Sequence, residues 1–272
     1  MNAGDQARTA ARGATRNPWV TRGIRVGFVA YGLVHLMLGV LGLRLALGDR
    51  GENVSSTGAL KELAQQPFGT ALLWIIVVGM TVLVVWRIAE AVIGDEDEEG
   101  AKELGKRAAS VAKAAIYGVL GFSAAKVATG SGGGGSSKKS MTATVMDWPA
   151  GQWLVALAGL GVIAYGAFQI YTGLSDKHAE KLAGEGRSGQ AGNAYLLLGK
   201  IGYCAKGAAL LAVGALFVWA GLTHEAGKSG GLDQALGRLL GQPFGPILVG
   251  AIGVGLACYG CFCFARARHL ST

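Results

Sequence analysis

Residues 26–43 read Val-Gly-Phe-Val-Ala-Tyr-Gly-Leu-Val-His-Leu-Met-Leu-Gly-Val-Leu-Gly-Leu, bounded by Arg25 and Arg44. As a helix this stretch is about 27 Å long, close to the ~30 Å hydrocarbon core of a bilayer. A soluble helix of that length turns a polar face to water at every turn, whereas this one offers only Tyr31 and His35. It reads as a membrane-crossing helix. Of the 272 residues, 51% are hydrophobic and 15% charged, and similar apolar runs recur along the chain. The expected spans are 24–47, 68–93, 108–129, 151–174, 195–222 and 244–265. The third is the least regular: Lys113 and Lys126 bracket only twelve uncharged residues, so both lysines must reach outward along the helix.

Glycine is the second departure from ordinary composition, with 46 residues, most of them inside the apolar runs. In water each helical glycine costs roughly 1 kcal/mol. In lipid, small residues let helices approach closely, so Gly23, Gly27, Gly39 and Gly42 in the first span, and Gly250 and Gly253 in the last, read as packing surfaces.

The runs repeat. Pro67-Phe68-Gly69, Pro149-Ala150-Gly151 and Pro243-Phe244-Gly245 each open the second helix of a pair, with the proline at the first helical position. Each is followed at the same spacing by a glycine (Gly79, Gly161, Gly255), expected to face a neighbouring helix near the midplane. An aromatic then follows (Trp86, Phe168, Phe262), marking the interface. The first helices align around Tyr31-Gly32, Tyr117-Gly118 and Lys206-Gly207. Residues 59–63 and 235–239, just ahead of two of the prolines, read as short amphipathic helices lying on the membrane surface.

Each pair crosses the membrane twice, so the three units share one orientation. The fold class is all-α integral membrane: six transmembrane helices as three parallel two-helix repeats in a pseudo-three-fold bundle. The expected divisions are a polar, disordered cytoplasmic tail (1–22), repeat 1 (23–94) and a charged cytoplasmic loop (95–107). Repeat 2 (108–174, with a Gly/Ser linker at 130–140), a second cytoplasmic loop (175–194), repeat 3 (195–266) and a tail (267–272) complete the chain. The first 22 residues lack the apolar centre of a cleavable signal. Thirteen Lys and Arg fall on the side of the termini and six on the other, which predicts a multi-pass protein of the bacterial plasma membrane with both termini cytoplasmic. The net charge of +8 serves this orientation, not a nucleic acid.

The Ala30-Tyr31-Gly32-Leu33-Val34-His35 first helix, the Gln66-Pro67-Phe68-Gly69 opening and the Trp86-Arg87…Glu90 exit together resemble a bacterial, mainly actinobacterial family known as domain of unknown function 1206. The resemblance runs over nearly all of residues 20–268 and is weakest in the middle unit, which lacks the Gln-Pro-Phe-Gly opening. It implies a pair of transmembrane helices occurring three times, and no activity.

Few residues could carry chemistry. His35 stands near the midplane, too deep for its short side chain to reach either surface. The plainer reading, which we favour, is a neutral imidazole bonded to a neighbouring helix; the sharper one is a proton relay or ligand contact. Lys206, aligned with Tyr31, lies ~9 Å inside the cytoplasmic edge. Snorkelling to that edge is its plainer reading. The alternative is an intramembrane polar site of His35, Lys206, Tyr31 and Tyr117 behind a cationic inner mouth of Arg25, Lys113 and Lys200. Glu90 is expected to pair with Arg87 near the headgroups. Cys204, Cys258, Cys261 and Cys263 read as small apolar packing residues. The 130–140 run lacks the lysine of a phosphate loop, and His178, His224 and His269 fall in loops or the tail. No catalytic set, metal site or cofactor is expected.

Two functions follow from this reading. The first is a non-enzymatic structural or accessory protein acting through lipid bilayer, membrane-protein or homo-oligomer contacts, with no nucleic acid. The second is a channel or carrier for a small solute or anion along the pseudo-three-fold axis. They differ in whether Tyr31, His35, Tyr117 and Lys206 converge on a cavity or pack dry.

Overall fold

The computed structural model describes residues 18–49, 54–93, 101–131 and 145–270. The polar tail up to residue 17, the acidic run 95–99 and most of the 130–140 linker lie outside the described residues. Within them are eight α-helices: α1 (Pro18–Ala46), α2 (Ser56–Ala64), α3 (Gly69–Ile93), α4 (Ala101–Ala128), α5 (Gly151–Leu174), α6 (Gly189–Thr223), α7 (Leu232–Leu240) and α8 (Gly245–Arg268). Six of them, all but α2 and α7, are long and apolar enough to cross a membrane. These match the expected spans, with α1, α4 and α6 extended by several residues at their N-termini.

Round the bundle the spans follow the order α4, α3, α1, α8, α6, α5. Each second helix of a repeat packs tightly on the first helix of the next: α3 on α4, α5 on α6, and α8 back on α1. Within repeats, α1 packs on α3 and α6 on α8, but α4 and α5 do not pack along their lengths. The pseudo-three-fold ring is therefore complete except for one seam, inside the middle repeat.

Glycine pairs set the tight interfaces. A Cβ on Gly39 would stand 2.7 Å from the carbonyl of Gly253, and one on Gly32 would stand 2.8 Å from that of Gly260. The α5–α6 pair repeats the device, with Gly159 against Gly214 and Gly166 against Gly207. The expectation for the mid-span glycines holds at Gly79, which lies against Gly27, and at Gly255, which lies against Ala205. It fails at Gly161, which is exposed with nothing within 4 Å. The packing face of α5 is carried instead by Gly159, Gly166 and Gly173, which leaves Gly161 turned outward.

The proline openings have a common geometry that corrects the expected position of the proline. The helices begin at Gly69, Gly151 and Gly245, two residues beyond the prolines. The residue between takes a left-handed backbone in all three repeats: φ is 63° at Phe68, 61° at Ala150 and 62° at Phe244. The glycine N–H donates to the carbonyl three residues back, at 2.8, 2.9 and 2.8 Å. This is a β-turn of the type II kind, with proline at its first central position. Glycine closes it because a Cβ on Gly69 would meet the Leu63 carbonyl at 2.3 Å, and one on Gly245 the Leu240 carbonyl at the same distance.

The helices α2 and α7 fill the expected places, and Ser55 accepts a hydrogen bond from the Gly58 N–H at the start of α2. Their apolar faces turn into the bundle: Leu60 and Leu236 are fully buried, so these helices plug the end of the bundle. The three aromatics are packed unequally: Phe262 is 1% exposed, Trp86 is half-buried edge-on against Phe28, and Phe168 faces outward.

The unequal roles of the glycines can be measured. Gly39→Ala is expected to destabilise the protein by about 1–3 kcal/mol, the usual cost of forcing atoms into a packed interface. Gly161→Ala is expected to be neutral or slightly stabilising. Equilibrium unfolding of both variants in detergent checks the contrast.

Candidate functional site

Tyr31 on α1, Tyr117 on α4 and Lys206 on α6 hold equivalent places in the three repeats, and all three converge on a chamber of about 150 Å³ at the bundle axis. Tyr165 on α5 and Tyr259 on α8, each sixteen residues after its repeat's proline, line the same chamber. So do Arg87 on α3 and Gln169 on α5, which also share a repeat position. The pseudo-three-fold axis thus passes through a space built from corresponding residues.

Lys206 does not snorkel. Its ammonium donates to the Tyr31 hydroxyl at 2.8 Å and stands over the rings of Tyr259 at 4.2 Å and Tyr31 at 5.0 Å. Contacts of a cation with aromatic faces offset ~0.5–2 kcal/mol of the desolvation of the charge. His35, 6% exposed, uses its Nδ1–H to reach the Tyr31 carbonyl at 2.9 Å. Its partner is therefore on its own helix, one turn back, and not on a neighbour. With Nδ1 so engaged, Nε2 is the nitrogen left for the cavity that His35 lines.

The cations of the chamber differ from those expected. Lys113 lines it as proposed. Arg25 does not, because its side of α1 is exposed while Ile24, Phe28 and Tyr31 form the buried face. Lys200 pairs with Asp176 at 3.6 Å outside the chamber. Their places are taken by Arg87, Lys181 and Arg266. Arg87, 5% exposed, forms the expected ion pair with Glu90, whose carboxylate also accepts from the Ser110 hydroxyl at 2.9 Å. Lys181 arrives from a loop: the segment Ala179–Lys181 is a 3₁₀ turn, and the ammonium donates to the Tyr203 hydroxyl at 2.5 Å. That loop is pinned by the Ala183 N–H to the carbonyl of His269, at 2.9 Å, beyond the end of α8. Five basic side chains therefore face one small space, and no Asp or Glu is among its lining residues. The Nε atoms of Arg87 and Arg266 are buried there without a hydrogen-bond partner among the described residues.

The chamber sits between two larger spaces. Towards the termini, a cleft of about 480 Å³ shares Arg87 and Lys113 with it and adds Lys106 and Arg107. Away from the termini, a cavity of about 520 Å³ shares Tyr31, Tyr165 and Lys206 with it and runs up to Ser56 and Thr57. The walls of this upper cavity are mostly apolar, with Leu38, Val119, Ala209, Leu210, Val213 and Leu256 among them.

The remaining candidates stand apart. Cys204, Cys258 and Cys261 are half-buried, Cys263 is buried, and all four are free thiols. His178 is fully buried, with its ring nitrogens at the carbonyls of Thr172 and Leu196.

These features define an all-α integral membrane protein of three two-helix repeats with a cationic chamber on its axis. The chain belongs to the family described as Domain of Unknown Function (DUF1206), which matches residues 26–94, 108–176 and 201–269. It is similar to the uncharacterised protein YxxB of Bacillus subtilis (strain 168), being 29% identical over 253 residues, 93% of this chain and 92% of that one. No solved structure matches it.

Lys181 gives the chamber a measurable signature. Burial, followed by repulsion from Arg266, Lys113, Lys206 and Arg87, lowers its ammonium from the ordinary 10.5 to about 6. Above pH 6 the folded state has released this proton while the unfolded chain still holds it, so stability rises with pH up to the unfolded value. The contribution is at most ~1.4 kcal/mol per pH unit. Denaturation of the wild type and Lys181→Met at pH 6, 7 and 8 is expected to show a steeper rise in the wild type than in the variant.

Proposed function

We propose that the protein binds an anion in the axial chamber and conveys it along the pseudo-three-fold axis. One observation carries this reading: Arg87, Lys113, Lys206 and Arg266 face a single chamber lined by no Asp or Glu among the described residues, with the Lys181 amine beside them. A cation at the centre of a spanning helix costs ~2.5–3.5 kcal/mol. Gathering several of them adds mutual repulsion, and a bound anion offsets both costs. The tyrosine hydroxyls around the chamber supply neutral donors for the oxygens of a carboxylate or phosphate. We prefer this to the accessory role that composition favours, because an accessory bundle has no need of like charges gathered on its axis. Among the described residues no nucleophile, base and acid are set together, and we take the role to be non-enzymatic. The excess of Lys and Arg beside the termini supports a plasma-membrane protein with both termini in the cytoplasm, and the cleft holding Lys106 and Arg107 then opens to the cytoplasm.

Calorimetric titration of the full-length protein with inorganic phosphate and with acetate tests the binding. One saturable site is expected for at least one of them, weakened tenfold or more by Lys206→Met and by Lys113→Met in variants that stay folded. Binding of neither anion, or binding indifferent to both substitutions, would overturn the proposal. In the same membranes, a cysteine placed at residue 228 is expected to label from outside and one at residue 177 from inside.

A further inference from the structure

The upper cavity does not suit a ligand that is only a small anion. It is more than three times the volume of the chamber it adjoins, and its walls are mostly apolar. Its size falls within the ~300–1,000 Å³ range of pockets that enclose organic ligands. A hydrated anion leaving the chamber on this side would gain nothing from such walls.

The cavity also has a side opening. It lies where the ring is incomplete, between α4 on one side and α5 with α6 on the other. Ile116 and Val119 line it although they are 40% and 66% exposed, which makes them the lip of an opening towards the surrounding lipid. Tyr165, Leu210 and Val213 form the facing side and are half-buried. Of the three places where helices of one repeat should meet, only this one is left open.

We infer that the occupant is an amphiphilic anion, a carboxylate or phosphate joined to an apolar chain, which reaches the bundle sideways from the bilayer through the α4–α5 seam. The inference rests on the anion reading of the chamber. The charged end lies among Lys206, Lys113, Arg87 and the tyrosines, and the chain lies along Leu38, Val119, Val213 and Leu256. Charge complementarity fixes the head and the apolar wall fixes the tail. The two spaces share Tyr31, Ile116, Tyr165 and Lys206, so one molecule can occupy both. The order, head towards the termini and tail towards the opposite face, is that of a lipid in the leaflet on the terminal side.

The test compares dodecyl phosphate, inorganic phosphate and dodecyltrimethylammonium on the full-length protein in nanodiscs of zwitterionic lipid. Binding of the two amphiphiles is counted by native mass spectrometry and that of inorganic phosphate by calorimetry. Dodecyl phosphate is expected to occupy one site at least tenfold more tightly than inorganic phosphate, and the cationic amphiphile is expected not to compete. Val213→Trp and Val119→Trp, which narrow the cavity and its lip, are expected to weaken dodecyl phosphate tenfold. They should move inorganic phosphate by less than twofold. Lys206→Met is expected to weaken both phosphates. Equal affinity for the two phosphates would overturn the amphiphile and leave the anion reading standing. The same holds for dodecyl phosphate binding that neither tryptophan variant disturbs. Binding of neither phosphate would overturn the amphiphile, and the anion reading with it unless acetate binds.

Discussion

Backbone meeting backbone at paired glycines is the constraint from which the rest of this architecture follows. Where Gly39 faces Gly253, or Gly166 faces Gly207, there is no room for even a methyl group. Helices held so closely on their flanks must turn their large residues elsewhere, and Tyr31, Tyr259 and Lys206 point to the axis. The exception shows the same rule. On α4, Gly121 lies against Met80 of α3 and Gly105 meets nothing, while on α5 Gly161 faces open space. No glycine pair joins α4 to α5, and that is the seam where the ring stays open.

Charge at this depth survives by sharing a few partners. Lys206 has a tyrosine hydroxyl and two ring faces, and Arg266 lies over Phe28, while Lys181, held only by the hydroxyl and ring of Tyr203, gives up its proton above pH 6. Among the described residues only Arg87 of these has a carboxylate partner, and Glu90 divides its own between Arg87 and Ser110. Aromatic faces and hydroxyls stabilise a cation by fractions of what a full counter-charge contributes. Apart from Lys181, the chamber is therefore built to tolerate positive charge while neutralising little of it.

Hydropathy made the spans legible because lipid forbids polar runs of that length, and repetition made the pairing of helices legible through the three prolines. The turn after each proline was half legible. Its position could be read, but the left-handed residue could not, since Phe68, Ala150 and Phe244 are residue types that rarely adopt that backbone. The site was legible only where repeat equivalence pointed to it, at Tyr31, Tyr117 and Lys206. The same alignment contained Tyr165 with Tyr259 and Arg87 with Gln169, a signal present in the sequence and not used. Lys181 carried no such signal, because a loop residue reaches the axis only through the folding of residues 179–187 against the end of α8. Arg25 misled for a related reason. A helix apolar on every side does not announce which of its faces is inward, and Arg25 is one residue from the buried Ile24.

The closure of α8 onto α1 has a consequence for how the protein is made. The interface that covers Gly32 and Gly39 is contributed by the sixth span, α8, made long after α1. During insertion α1 can find α3, but the flank beside His35 has no partner until residues 245–268 have left the ribosome. Tyr31 gains Tyr117 from α4 and Lys206 from α6 earlier, but the His35 ring waits for Tyr259, and a product truncated before α8 is an unfinished ring with that edge uncovered. Closure of this ring is therefore a late event, the docking of α8 on a first helix made five spans earlier.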